Sequence, residues 1–106
     1  MSGTQRIALV TGAAQGIGRR TSELLAARGY ALALNDVQAT DSTSQAVRAF
    51  GVPALELPGD VSNEREVGLM AERVQHEYGR VDVLINNAGI SCICPAEDTT
   101  LEQWRR

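Results

Sequence analysis

Lysine is absent from this 106-residue sequence, and all ten basic side chains are arginine. Thirteen acidic residues outweigh them to a net charge of −3, which leaves no basic footprint for nucleic acid. No apolar run approaches the roughly 20 residues of a membrane-spanning helix. The segment from Met1 to Arg6 leads straight into an apolar run with no secretory signal pattern, so a cytoplasmic protein is expected. Cysteine is limited to Cys92 and Cys94, whose spacing matches no zinc pattern; two reduced thiols are expected and no metal site. Repeats, low-complexity tracts and linkers are missing too. A hydrophobic content of 43% in one short chain argues for a single folded domain spanning residues 1–106.

What is present is a rhythm. Four short apolar runs, Ile7-Ala8-Leu9-Val10, Ala31-Leu32-Ala33-Leu34, Ala54-Leu55-Glu56-Leu57 and Val81-Asp82-Val83-Leu84-Ile85, each end in a turn bearing glycine or a polar residue. Those turns are Thr11-Gly12 to Gly18, Asn35-Asp36, Pro58-Gly59-Asp60 and Asn86-Asn87-Ala88-Gly89. Between the runs lie helical patterns. The first is expected over about Ile17 to Arg28, with Ile17, Leu24 and Leu25 on one face and Gly29 as a left-handed stop. The second, about Ser42 to Phe50, places Thr43, Ala46, Val47 and Phe50 together, and Gly51 ends it. The third carries an apolar stripe of Val67, Met70, Ala71, Val74 and Tyr78, with Ser62 or Asn63 as cap and Gly79 as stop. Thr99 and Glu102 fit a capping box for a fourth helix carrying Leu101 and Trp104.

Strand–helix alternation predicts an α/β fold of the Rossmann type: a doubly wound parallel sheet with strand order 3-2-1-4, cut off as a fourth crossover helix begins. In such a sheet the carboxyl ends of all strands share one edge, where ligands bind. The segment Gly12-(x3)-Gly16-Ile17-Gly18 joins a strand to a helix, where free backbone N–H groups attract anions. Gly12 permits the sharp turn, Gly16 allows a pyrophosphate close to the backbone, and Gly18 removes a Cβ where helix and strand must touch.

At these residues the chain resembles the short-chain dehydrogenase/reductase family. Thr11-Gly12-(x3)-Gly16-Ile17-Gly18 looks like its cofactor turn, Asp60-Val61 like its adenine-contacting pair, and Asn86-Asn87-Ala88-Gly89 like its strand-four signature. The opening residues are similar to the 3-oxoacyl-[acyl-carrier-protein] reductase branch. The resemblance implies a nicotinamide dinucleotide held by Gly12, Gln15, Gly16, Ile17, Gly18, Asp36, Asp60, Val61, Asn86, Asn87, Ala88 and Gly89. Asp36, at the end of the second strand, is placed to accept both ribose hydroxyls and to repel a 2′-phosphate. Gln15 is neutral and no arginine follows at Val37 or Gln38, so NAD is expected over NADP. Asp60 has a second reading as a helix cap, and Asn86 is expected to be structural rather than to take part in chemistry.

The resemblance also implies a Ser, a Tyr-x-x-x-Lys pair and a helix-borne Asn for hydride transfer between carbonyl and alcohol. No residue of this chain is assigned a catalytic role, because a chain without lysine has no such pair. His76 is expected on the surface, and Tyr30 and Tyr78 in packing roles. The chain reads as the front part of something longer, inactive by itself, with its fourth strand as an exposed edge and a marginal monomer as the result. Ser91 to Pro95 is placed on the near wall of a substrate pocket. The leading expectation is the cofactor-binding half of an NAD-dependent oxidoreductase for a small carbonyl or alcohol substrate, with homo-oligomers common in such a family. The alternatives are a non-catalytic dinucleotide-binding module and an interaction protein pairing through its fourth strand.

Overall fold

The computed structural model describes residues 5–87 and the backbone of the strand at 93–95. The chain runs β1 (Ile7–Thr11), α1 (Gly16–Ala27), β2 (Ala31–Asp36), α2 (Asp41–Arg48), β3 (Ala54–Pro58), α3 (Glu64–Glu77), β4 (Val83–Asn86) and β5 (Ile93–Pro95). The sheet order is β3-β2-β1-β4-β5. The first four strands are parallel, as the alternation of runs and helices requires.

β1 and β2 are buried along nearly their whole length, as expected of central strands covered on both faces. Ala8, Val10, Leu32 and Leu34 point to one side, where they pack with Ala26 of α1 and Val47 of α2. Leu9, Ala33 and Leu57 point to the other, against Val67, Met70 and Val74 of α3. Two cores therefore sandwich one sheet, the doubly wound Rossmann arrangement.

Three expectations are corrected. β4 is not an open edge: Ile93–Pro95 pairs with it antiparallel, Val83 opposite Pro95 and Ile85 opposite Ile93, which occupies the ladder that a four-stranded sheet would leave free. The apolar face of α1 is not Ile17–Leu24. Those side chains are 74% and 50% exposed, and Gly18, Ser22 and Ala26 face the sheet with Leu25 packed beside them. At 100° per residue, positions 18, 22, 25 and 26 form one stripe and 17 and 24 another, and close approach of the helix selects the small residues. Helix α2 stops at Arg48, so Phe50 lies in the following turn and is 53% exposed. In α3 the cap is Asn63, whose Oδ1 accepts the Glu66 N–H at 3.1 Å. The expected fourth helix at Thr99–Trp104 and the side chains of Cys92 and Cys94 lie outside the described residues.

Candidate dinucleotide site

Register brings the strand ends together. Thr11 is level with Asn35 on one side and Asn86 on the other, and Asp36 is level with Pro58. The four turns singled out in the sequence therefore start from one edge of the sheet.

The first turn owes its shape to glycine. Gly12 and Gly16 hold φ of +68° and +63°, the left-handed region that other residues resist. A Cβ on Gly16 would meet open space, so its backbone is approachable from outside. A Cβ on Gly18 would overlap the Gly12 carbonyl and come within 3.0 Å of Asn87 Nδ2. The close approach that demands Gly18 is thus with the turn itself, not with a strand as expected.

The middle of the turn is fastened to β2 and α2. Ala13 N–H donates to Asn35 O at 2.9 Å. Ala14 N–H donates to Asp36 Oδ2 at 2.9 Å, and the other carboxylate oxygen accepts the Gln38 N–H at 3.0 Å. The buried Thr43 hydroxyl donates to Ala13 O at 2.8 Å, with Ala14 O at 3.3 Å. Asp36 therefore faces the glycine turn as a fixed anion with lone pairs to spare.

Beyond the turn, Gln15 leads into α1 with extended backbone and makes no side-chain cap, and no acidic residue lies in the first turn. Gln15, Gly16 and Ile17 are exposed. The start of α1 is accordingly exposed at Gly16 and Ile17, at the positive end of a helix that no side chain caps.

Asp60 does not cap α3. Its Oδ1 accepts from Ser62 N–H at 2.9 Å and Ser62 Oγ at 2.7 Å. Those bonds, the backbone one first, hold its carboxyl below the usual aspartate range, so it is an exposed anion at neutral pH. Val61 packs its side chain on the α3-side core. Glu66 returns to the Asp60 N–H at 2.8 Å and fixes the loop.

At the end of β4, Thr11 Oγ1 donates to Asn86 Oδ1 at 3.1 Å and accepts the Asn87 N–H at 2.9 Å. Asn86 and Asn87 are thereby tied to the strand that carries the glycine turn. Ala88, Gly89 and the segment Ser91 to Cys92 lie outside the described residues.

Sequence reading assigned no role to Asn35, which is fully buried. Its Nδ2 lies 2.9 Å from Leu57 O, 3.1 Å from Gly59 O and 3.0 Å from Met70 Sδ. With its carbonyl bonded to Ala13, Asn35 links the first three loops. An amide in an otherwise apolar run, Ala31 to Leu34, was the signal.

The tyrosines stand away from this edge. Tyr78 donates to Leu32 O at 2.9 Å, near the amino end of β2, and burial pushes its hydroxyl up to about 12. Tyr30 packs against the α1–α2 core. His76 is exposed beside Glu77. Among the described residues no group of acidic, histidine or cysteine side chains is arranged to hold a metal, and no helix is long and apolar enough to cross a membrane.

A family model described as short chain dehydrogenase matches residues 6–106. The chain belongs to the short-chain dehydrogenase/reductase family. A short-chain dehydrogenase/reductase of Armillaria gallica is 45% identical over 105 residues, covering 95% of this chain and 40% of that protein. Among solved structures, an NAD+-bound xylitol dehydrogenase superposes with a TM-score of 0.77 at 38% identity, over 80% of this chain and 34% of its own. The L-sorbose reductase of Gluconobacter frateurii, complexed with NADPH and L-sorbose, gives a TM-score of 0.77 at 29% identity, over 95% and 40%. The chain thus spans about 40% of the length of the curated relatives it matches. These neighbours hold nicotinamide dinucleotides, NAD in one case and NADPH in the other.

Proposed function

We propose that these residues form the cofactor-binding part of an NAD-dependent oxidoreductase acting between carbonyl and alcohol. One observation carries the reading: Asp36 is pinned by Ala14 N–H beside the uncapped amides of α1, at the shared carboxyl edge of four parallel strands. A dinucleotide matches this arrangement. Its pyrophosphate pairs with the opening amides of α1, at exposed Gly16 and Ile17 and at buried Gly18 behind them. Its adenosine ribose reaches Asp36, whose free lone pairs accept two hydroxyls. Asp60 and the Val61 backbone are left for the adenine edge. Gly12 and Gln15 shape the approach, and Asn86 and Asn87 stand towards the nicotinamide half; Ala88 and Gly89 follow them in the sequence. When bound, the dinucleotide supplies a hydride donor or acceptor; the residues here bind and orient it.

Preference for NAD rests on charge. The fixed Asp36 anion opposes a 2′-phosphate, and Arg19, the first arginine after the glycine turn, is engaged by Glu23 at 3.0 Å and Ser42 at 2.8 Å. The sorbose reductase, similar in fold, is complexed with NADPH, so the preference proposed here rests on these local charges and not on the fold. Fluorescence titration of the chain with NADH and NADPH tests both parts. Binding of NADH at least about tenfold tighter is expected, a difference of about 1.4 kcal/mol. Tighter NADPH binding defeats the preference, and binding of neither defeats the reading.

A second reading, binding without chemistry, is favoured by one fact: both tyrosines in the chain are packed away from the site and neither is followed by a lysine. The two readings share the same cofactor site and differ in whether residues outside this sequence supply the proton donor.

A further inference from the structure

The stretch between Gly12 and Gly16 is held in an unusual way. Both backbone groups of Ala13 and both of Ala14 are engaged, and every partner comes from β2 or α2. The two N–H groups go to Asn35 O and Asp36 Oδ2, and the two carbonyls face one hydroxyl, Thr43 Oγ1. Thr43 is fully buried and cannot touch a ligand at the sheet edge. Its neighbour Ser44 is equally buried, yet its hydroxyl has no hydrogen-bond partner among the described residues. Of these two adjacent buried hydroxyls on one helix, that of Thr43 is bonded to the glycine turn and that of Ser44 is not.

We infer that Thr43 is a positioning residue for the dinucleotide site: its hydroxyl clamps the glycine turn so that the α1 amides and Asp36 face one ligand. Helix α2 is then part of the binding apparatus without lining it. The physical reason is conformational. Gly12 and Gly16 make the turn permissive, and a permissive loop binds a phosphate well only if something else fixes it. A hydroxyl straddling two consecutive carbonyls fixes both peptide planes at the cost of one side chain, and Asp36 fixes the Ala14 amide from the other side. Loss of the hydroxyl leaves the buried Ala13 carbonyl without its donor, releases the half-buried Ala14 carbonyl and frees the turn to sample other shapes.

The inference rests on the cofactor reading above for its consequence and on the turn geometry for its cause, so the test reads both. The chain and its Thr43→Val, Thr43→Ser and Ser44→Ala variants are titrated with NADH, and amide hydrogen exchange is followed at Ala13 and Ala14. Thr43→Val is expected to weaken NADH binding by about three- to tenfold, the range of one lost neutral hydrogen bond, and to speed exchange at both amides. Thr43→Ser restores the donor and is expected to recover affinity to within about twofold. Ser44→Ala is expected to change neither. Wild-type affinity in Thr43→Val, or an equal loss in Ser44→Ala, overturns the inference while leaving the cofactor reading intact. If the unsubstituted chain does not bind NADH, the cofactor reading falls, and exchange alone decides: faster exchange in Thr43→Val upholds the clamp and unchanged exchange overturns it. Should Thr43→Val not fold, Thr43→Cys takes its place, similar in size with a weak S–H donor; a loss of about threefold or more supports the clamp and full affinity contradicts it.

Discussion

At the residue scale a few groups of the proposed site are costly to replace, each for a different reason. Gly18 is required by space. In Gly18→Ala the new methyl meets the Gly12 carbonyl, which must move, and a loss of about 1–3 kcal/mol in urea unfolding is expected together with loss of NADH binding. Gly16 is required by conformation alone. Gly16→Ala meets nothing, but holds φ near +63°, and should cost only about 1 kcal/mol by the same measurement. Asp36 is required by its two acceptors. Asp36→Asn sets an NH₂ group against one of the two backbone N–H donors, Ala14 or Gln38, so about 1–3 kcal/mol of stability is expected to go along with the discrimination against NADPH. Tyr78 provides a pH signature. Below pH 10 its hydroxyl is protonated in both folded and unfolded chains. Between 10 and about 12 the unfolded chain gives up that proton while the folded chain keeps it, so stability falls as pH rises through this window. Thermal melts from pH 9 to 12 should show the fall, and Tyr78→Phe, though less stable at neutral pH, should flatten it.

At the element scale both ends of the parallel four-strand array are covered. On one edge β5 covers β4. On the other, β3 presents its outward carbonyls to two arginines. Leu32 N–H donates to Pro53 O at 3.0 Å, so by alternation Ala54 and Glu56 face away from β2. Arg48 of α2 donates to Ala54 O at 2.8 Å, and Arg73 of α3 donates to Glu56 O at 2.9 Å. Pro58 has no N–H to offer a further strand. Replacing both arginines with alanine uncovers this edge, and earlier, concentration-dependent light scattering on warming is expected; scattering unchanged from the parent chain would show that the edge needs no guard.

The same elements show which features could be read from sequence. Strand positions, the spans of α1 and α3 and the shared carboxyl edge follow from local signals: apolar runs that end in Gly12, Asp36, Asp60 and Asn86, and glycines that stop helices at 29 and 79. The inward face of α1 does not, because Gly18, Ser22 and Ala26 are turned in by a close approach visible only in three dimensions. Nor does β5, three residues long with no alternation to mark it. Within the candidate site, the places of Asp36 and the glycines at the strand ends were legible because each stands in a motif. The bonding roles of Thr11, Asn35 and Thr43 were not, because the partners lie 22 to 76 positions away.

At the scale of the whole molecule, two cores hold the sheet from its two faces. The chain carries about 40% of the length of its curated relatives, and several large apolar side chains, Ile17, Leu24, Val37 and Leu69 among them, face outward. Ligand binding should therefore be a large share of its stability. NADH at about 100 times its dissociation constant is expected to add about 2.7 kcal/mol, and the rise in melting temperature should follow the logarithm of NADH concentration.

The most direct measurement is an amide NMR titration of the 106-residue chain with NADH. Saturable shifts are expected at Gly16, Ile17, Gly18, Asp36 and Val61, along the carboxyl edge of the strands, with Gly29, Gly51 and Gly79 at the opposite edge unmoved. Shifts confined to those three glycines, or none at saturating NADH, would contradict a dinucleotide gripped by the glycine turn and Asp36.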